Sequence, residues 1–138
     1  MYLLDTNVVS ELRKVAEGKA NANVAAWQAG LDELACYLSV ITLLELEAGV
    51  LRVERRDATQ GALLRAWLEQ RIVPGFAGRI LPVDEAVARR CAGLHVPDPR
   101  STHDALIAAT ALVHGLTVVT RNTADFAATG VALLDPWQ

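Results

Sequence analysis

The sequence predicts an α/β fold in which helices cover a parallel sheet. Two apolar runs carry the clearest strand signals, Tyr2-Leu3-Leu4 near the start and Leu116-Thr117-Val118-Val119-Thr120 in the second half. The second run is apolar through its centre, as expected for a parallel strand that is buried on both faces. Helical patterns alternate with the strand candidates, which is typical of parallel sheets. The 138 residues contain no evident repeat or linker, so we expect one domain over residues 1–138.

The first half of the chain is expected to form two strands and four helices. In chain order we predict a strand over 2–4, a short helix through Glu11, Leu12 and Arg13, a helix over 22–30, a strand over 37–40, a helix over 41–56, and a helix from 59 through 68 onward that closes at Val73-Pro74-Gly75. Asn23 is the expected N-cap of the helix over 22–30, and Gly30 is its expected stop. On the helix over 41–56 the apolar residues share one face. A separate stripe on that helix consists of Thr42, Glu45, Gly49 and Arg52.

The second half is expected to supply three more strands. We predict a strand over 79–83, a helix capped by Asp84 that runs to Leu94, an extended loop over 96–100, a helix over 101–114 that ends at Gly115, a strand over 116–120, a helical turn over 122–126 and a strand over 131–134. Loops rich in Pro and Asp, and the glycine after the long helix, mark the boundaries between these elements.

Composition excludes some classes of protein but does not identify the function. With 52% hydrophobic residues the chain is expected to fold, and its formal net charge of -3 does not exclude nucleic acid, because net charge says nothing of how charge is distributed. No stretch approaches the roughly 20 apolar residues of a membrane helix, and the N-terminus lacks the basic region of a signal peptide. Cys36 and Cys91 have no partner at metal-binding spacing, which favours reduced thiols. We therefore expect a cytoplasmic protein without a membrane contact.

Four acidic residues occur where parallel sheets keep their binding sites. Asp5 ends the first strand and Asp125 lies just beyond the fourth strand, while Glu45 and Asp104 fall in the first turns of two helices. Ligands of such sheets bind beyond the carboxyl ends of the strands. The four acids converge if strand one lies beside strand four and strand two beside strand one.

Local capping is the alternative explanation for two of these acids. Ser101-x-x-Asp104 has the form of a capping box, and Asn122-x-x-Asp125 resembles one with Asn as the cap. Taken singly, capping is the stronger explanation of both. Asp5 is different, because a carboxylate that ends an apolar strand is unfavourable unless it is paired or bound to a metal ion. The functional interpretation therefore depends on the joint placement of the four acids.

Convergent carboxylates predict metal chemistry on a phosphate. Oxygen ligands without His or Cys favour Mg²⁺ or Mn²⁺, and without a cation the ionised acids would repel and raise one another's pKa values. A bound cation acidifies water and neutralises charge on a phosphoryl group. Hydrolysis of a phosphodiester is the reaction that such a site serves best.

Four segments of the chain carry a family resemblance. These segments are Tyr2–Leu12, Leu38–Leu46, His103–Ala111 and Val119–Phe126. Together they resemble the PIN domain and, more narrowly, the VapC/FitB-type toxins of bacterial type II toxin–antitoxin systems. The likeness spans essentially the whole chain, including the terminal Leu134-Asp135-Pro136-Trp137, and the four motifs have the family's order and spacing.

The resemblance implies roles for individual residues. Asp5, Glu45, Asp104 and Asp125 match the family's four acids, which bind Mg²⁺ or Mn²⁺ and activate water for RNA cleavage. The supporting polar positions of the family are matched by Thr6, Asn7, Thr120 and Asn122. The implied fold is a PIN-like three-layer sandwich, a five-stranded parallel sheet flanked by helices, usually as a homodimer. A VapB/FitA-type antitoxin is expected to lay its C-terminal segment in the active-site groove, commonly presenting an Arg.

Several nearby residues have two possible roles. Arg52 lies roughly 10 Å along the helix from Glu45 and either contacts RNA phosphate or satisfies the helix end. Arg121 either contacts RNA or the antitoxin, or pairs with a carboxylate. His103 is expected to have a surface or packing role rather than to be a ligand. The three tryptophans are expected to be core or interface anchors. The segment 94–103 is shorter and richer in proline than in many relatives. It is expected to border the site, so the family's RNA preference and antitoxin fit do not carry over directly to this chain.

Three other functions compete with that of a toxin. A PIN-domain nuclease of RNA processing would carry the same acids, so the sequence leaves that alternative open. A noncatalytic module that binds RNA or protein would be expected to lose one or more acids, and none is missing. A phosphatase with Asp5 as nucleophile usually needs a second Asp two residues later, where this chain has Asn7.

Overall fold

A parallel sheet of five short strands forms the centre of the computed structural model, which describes residues 1–138. The strands are β1 (Tyr2–Leu4), β2 (Cys36–Ser39), β3 (Ile80–Leu81), β4 (Thr117–Val119) and β5 (Leu133–Leu134). Their order is β3-β2-β1-β4-β5, and every neighbouring pair is parallel. The predicted five-stranded sheet is confirmed, with β1 between β2 and β4.

Helices cover both faces of this sheet. They are α1 (Thr6–Leu12), α2 (Ala22–Ala29), α3 (Val40–Arg56), α4 (Ala58–Trp67), α5 (Val73–Gly75), α6 (Glu85–Leu94), α7 (Thr102–His114) and α8 (Thr123–Phe126). None of them has the length and apolar character that crossing a bilayer requires.

The alternation of side chains along each strand divides the core into two layers. Leu4 and Val119 pack in a cluster with residues of α1 and α3, whereas Leu3 and Val118 pack with residues of α7 and α8. Successive residues of a strand point to opposite faces, so each strand serves both clusters. The arrangement is helix–sheet–helix, and the predicted three-layer sandwich is confirmed.

The start of α3 and the N-cap of α2 differ from the sequence prediction. The strand predicted over 37–40 ends at Ser39, because the Ser39 hydroxyl accepts the Ile41 N–H and caps α3, so Val40 is already helical. Helix α2 is capped by Asn21 rather than Asn23, since the Asn21 side chain accepts the N–H groups of residues 23 and 24. The Asn23 amide instead donates to the Trp137 carbonyl at 2.6 Å.

The outer strands are shorter than predicted. Strand β3 comprises two residues of the predicted 79–83, and β5 two residues of the predicted 131–134. Both lie at the edges of the sheet, where only one neighbour supplies ladder hydrogen bonds. The helix predicted from residue 59 begins at Ala58 and continues through a π-helical stretch, Leu68–Ile72, into α5, so its closure at Val73-Pro74-Gly75 is confirmed. Both cysteines are buried and unpaired, as predicted.

Helices α3 and α4 are joined by one arginine and three carboxylates. Arg65 of α4 lies 2.7 Å from Glu47 and 3.0 Å from Glu54, both on α3, and 3.3 Å from Glu69. Its hydrogen bonds hold the pKa values of Glu47 and Glu54 below their ordinary value. The cluster ties α4 to the helix that carries Glu45.

We expect Arg65→Met to make the stability of the protein less dependent on acidic pH. Groups with depressed folded-state pKa values stabilise the fold above their unfolded value, here 4.5, and lose that contribution as pH falls through the folded-state pKa. The variant should therefore be less stable than the wild type at neutral pH, and the difference should shrink on acidification. Urea unfolding at several pH values measures this, with Arg89→Met, which has a single exposed partner, as control. Parallel pH curves for wild type and Arg65→Met would contradict it.

Candidate active site

Asp5 is the buried centre of the acidic cluster. It follows β1 and caps α1, and its residue is only 6% exposed. One carboxylate oxygen accepts the Thr6 N–H at 2.8 Å, and the other accepts Asn7 Nδ2 at 3.1 Å and the Thr120 hydroxyl at 2.8 Å. Burial nevertheless raises the pKa of Asp5, and the charge of Glu45 adds to this effect. The carboxylate is rigidly held but unfavourably ionised.

A small polar network joins the ends of β1 and β4 around Asp5. Asn7 Nδ2 also lies 3.3 Å from Thr120 Oγ1, and Asn7 Oδ1 accepts the N–H of Arg121 at 3.1 Å. Because the Thr120 hydroxyl donates its proton to Asp5, its oxygen is left to accept the Asn122 N–H at 3.0 Å. Three of the four predicted supporting side chains, those of Thr6, Asn7 and Thr120, thus lie among the acids. The fourth, Asn122, contributes only its backbone.

Glu45 is held between two other helices. The Thr6 hydroxyl of α1 donates to Glu45 Oε1 at 2.6 Å, and His103 Nδ1 of α7 lies 3.2 Å from Oε2. His103 lies on the surface, as predicted, with 45% of its side chain exposed, but the sequence did not predict its contact with Glu45. Adjacent residues of one helix do point apart, but Glu45 comes from a different helix and meets His103 across the gap. Only the packing of α3 against α7 reveals this contact.

Asp104 and Asp125 complete the cluster. The Asp104 side chain is partly buried and forms no hydrogen bond, and its pKa is raised by burial and then by the charges of Asp5, Asp125 and Glu45. Asp125 is exposed on α8. Neither Ser101 nor Asn122 caps its helix with a side-chain hydrogen bond. Neither motif forms the predicted capping box, so capping hydrogen bonds do not explain the two acids.

The carboxylates of the four acids are suitable ligands for a hard divalent cation, although they are not arranged as a complete coordination site. No three His, Cys, Asp or Glu side chains are grouped closely enough to hold a metal ion as they stand. The four acids nevertheless offer only oxygen donors near the buried Asp5. A cation would offset the burial and the charge repulsion that together raise the pKa of Asp104. Oxygen-only sets of this kind suit Mg²⁺ or Mn²⁺.

The arginines predicted to flank the site differ in their surroundings. Arg52 is exposed and forms no side-chain hydrogen bond or salt bridge. The guanidinium of Arg121 lies over the Trp137 ring, 5.4 Å from its centroid, and pairs with no carboxylate. All three tryptophans pack against the core cluster of Leu4, so their prediction as core anchors is confirmed.

The segment between α6 and α7 is tied back onto α6. Arg100 Nε donates to the Leu94 carbonyl at 2.7 Å, and the Arg100 N–H donates to His95 Nδ1 at 3.2 Å. These contacts lead directly into the first turn of α7, which carries His103 and Asp104. The loop therefore borders the site, as the sequence predicted.

The fold and the site together define an α/β protein whose carboxylates gather at the carboxyl edge of a parallel sheet. The chain belongs to the PIN domain family, whose model matches residues 2–131. It is 43% identical over 143 residues to Toxin FitB of Neisseria gonorrhoeae, covering 99% of each chain. It is 38% identical over 146 residues to VapC ribonuclease Y4jK of Sinorhizobium fredii, covering 100% of this chain and 99% of the relative.

A solved structure shares the whole architecture. The crystal structure of FitAcB from Neisseria gonorrhoeae matches with a TM-score of 0.90 at 42% identity, covering 100% of this chain and 99% of that one. The fold implied by the family resemblance is therefore the fold of this chain.

Proposed function

We propose that this protein is a metal-dependent endoribonuclease that acts as the toxin of a type II toxin–antitoxin module. The observation that carries the proposal is the placement of four acids around the buried Asp5 at the carboxyl edge of the sheet, where burial and the charges of the other three acids raise the pKa of Asp104. Such a cluster destabilises the fold unless a cation occupies it. The similarity to a named toxin and a named ribonuclease over nearly the whole chain supports the same function.

In this proposal Asp5, Glu45, Asp104 and Asp125 hold Mg²⁺ or Mn²⁺. The chemistry that such a cation supplies is the acidification of water and the neutralisation of charge on the phosphoryl group. The chain's own polar residues hold the carboxylates in place before a cation binds. The rotamer entropy of these acidic side chains is therefore lost on folding and not on binding of the cation.

Two sets of contacts divide this positioning task. Thr120 and Asn7 orient one oxygen of Asp5, while Thr6 orients the other through its backbone and fixes Glu45 through its hydroxyl. All four acids are present in the chain, which disfavours a noncatalytic module of the same fold.

The partners follow from the same proposal. RNA is the substrate, a VapB/FitA-type antitoxin is the inhibitor, and a homodimer is the expected assembly. A cytoplasmic site of action agrees with an RNA substrate and with two unpaired cysteines. Residues 1–138 are proposed to form a single domain of this family. A role in RNA processing outside a toxin–antitoxin module would use the same active site.

Purified wild type is expected to cleave RNA with Mg²⁺ or Mn²⁺ and not with EDTA, because the carboxylates need a cation to act on phosphate. The measurement uses structured and unstructured RNAs with protein free of antitoxin, and Asp5→Asn as the matched variant. Cleavage by both proteins, or cleavage in EDTA, would overturn the assignment of Asp5. A folded wild type that binds Mn²⁺ yet cuts none of a broad set of RNAs would overturn the proposed activity.

The growth of cells that express the protein distinguishes a toxin from an RNA-processing enzyme. Induced wild-type protein is expected to arrest growth, Asp5→Asn is not, and co-expression of a small antitoxin gene next to the toxin gene should restore growth. Normal growth with active wild-type enzyme would instead favour RNA processing.

A further inference from the structure

A groove leads away from the acidic cluster between α1, α3 and α4. Its volume is about 300 Å³, and it begins at Thr6 and Glu45. Farther along, its lining includes Arg13, Gly49 and Trp67. This volume is at the lower end of the range for ligand pockets. The groove is therefore continuous with the proposed site of cleavage and large enough for part of a ligand.

Gly49 lines this groove, and neither backbone conformation nor packing requires a glycine at this position. It lies in the interior of α3, one turn after Glu45 on the same stripe, where glycine is less favourable than alanine. A Cβ at Gly49 would have no atom within 4 Å, whereas one at Gly61 of α4 would lie 2.5 Å from the Glu54 Cα. Packing explains Gly61 but does not explain Gly49. What Gly49 does is leave space open beside Glu45.

Arg13 supplies an unpaired positive charge to the same groove. Its side chain is exposed and forms no salt bridge, and its guanidinium lies 5.9 Å from the centroid of the Trp67 ring. Stacking on an aromatic ring restricts the arginine while leaving its N–H groups free, which suits recognition of phosphate. The groove thus has a cation on one wall and an acidic metal site at its end.

We propose that this groove binds a nucleotide of single-stranded RNA next to the scissile phosphate, with Arg13 contacting its phosphate and Gly49 leaving room for it. The proposal rests on the proposed ribonuclease function. When the scissile phosphate lies at the four acids, the adjoining nucleotide must follow a surface that begins there, and this groove begins at Glu45. The charge of Arg13 matches the phosphate of a nucleotide, and the apolar side chains that line the groove, among them Leu64, match its base.

The first test fills the groove. RNA affinity is measured by fluorescence anisotropy in a background that carries Asp104→Asn, so that the RNA stays intact. Gly49→Leu is expected to weaken binding about tenfold or more, the size of effect found when one bound base is displaced, without lowering the unfolding temperature. Gly93→Leu is the matched control, because Gly93 is also helical and its Cβ would also meet open space. In the otherwise wild-type protein, Gly49→Leu should lower kcat/KM for RNA and leave Mn²⁺ affinity unchanged.

The second test concerns the phosphate contact. Arg13→Gln is expected to lower the salt dependence of RNA binding, reducing the slope of log K against log salt concentration by about 0.7 for one lost contact to a single strand. Arg89→Gln, at an exposed arginine of α6, should leave the slope unchanged.

The outcomes separate the inference from the function on which it rests. If wild type cleaves RNA but Gly49→Leu and Gly93→Leu bind RNA equally well, the groove proposal is overturned and the ribonuclease stands. If Gly49→Leu loses only the binding of a purified antitoxin, the groove takes a protein segment, and the proposal is overturned. If wild type neither binds nor cleaves RNA, both proposals fail.

Discussion

The Asp104→Asn variant is expected to cleave RNA at least about 100-fold more slowly than the wild type, yet to unfold at a higher temperature in metal-free buffer. The rate falls because a proposed metal ligand is lost, and even the loss of an outer contact to a metal ligand lowers activity or affinity by 10–100-fold. Stability rises because Asp104 forms no hydrogen bond that the amide would lose, while burial and the charges of the other three acids disfavour its ionised form.

The pH dependence of this stability difference has a definite sign. The pKa of Asp104 is raised above its ordinary value of 3.8, so its ionisation destabilises the fold at higher pH. The advantage of the variant should be full at neutral pH and should disappear as the carboxyl becomes protonated in both states. Thermal unfolding in EDTA at several pH values measures it, together with Mn²⁺ affinity and kcat/KM.

The control for Asp104→Asn is Asp98→Asn in the exposed loop before α7. This change removes the same charge away from the cluster, and neither activity nor stability should respond. A variant of Asp104 that is inactive but also less stable than wild type would contradict the repulsion on which the site assignment depends.

Gly61→Ala is expected to destabilise the protein by about 1–3 kcal/mol, the usual effect of forcing extra volume into a packed interface. The added Cβ would lie 2.5 Å from the Glu54 Cα, and it meets backbone that cannot rotate away. Helices α3 and α4 would have to separate, which also disturbs the contacts of Arg65 with α3. Better helix propensity of alanine offsets only part of this loss.

Chemical denaturation of Gly61→Ala and Gly93→Ala measures the effect against a matched change. Both glycines are helical, but a Cβ at Gly93 would meet open space, so that variant should be as stable as wild type or more stable. Equal stability of the two variants would show that α3 and α4 do not approach as closely as described.

Local sequence patterns predicted most of the fold. Three correct predictions reflect preferences of the residues themselves or of their nearest neighbours. They are the apolar strand over 2–4, the long helix whose apolar residues share one face, and the glycine that ends α7. The errors lie at element ends. Ser39 caps a helix that was expected to start one residue later, and Asn21 rather than Asn23 caps α2. A cap depends on which backbone N–H groups are free, and several polar residues near each start could accept them.

The candidate site, like the fold, was predictable in part from the sequence. Asp5 and Asp125 follow strands, and parallel strands bring their carboxyl ends to one edge, so the order of elements implied a cluster. The roles of these acids as metal ligands stay predictions. The contact between His103 and Glu45 was not predictable, because it joins two helices whose relative position depends on how each packs on the sheet.

By itself, the sequence determined the kinds of element, the parallel sheet and the acids at its edge, since these follow from periodicity and from short-range steric preference. Only the tertiary structure decided which acids lie close enough to interact electrostatically, which arginines form no salt bridge and where a groove stays open. The pairing of Arg65 with Glu47 and Glu54 and the free guanidinium of Arg13 illustrate the difference. Charge interactions and empty space depend on distances between elements far apart in the chain, and those distances are set by how the whole core packs.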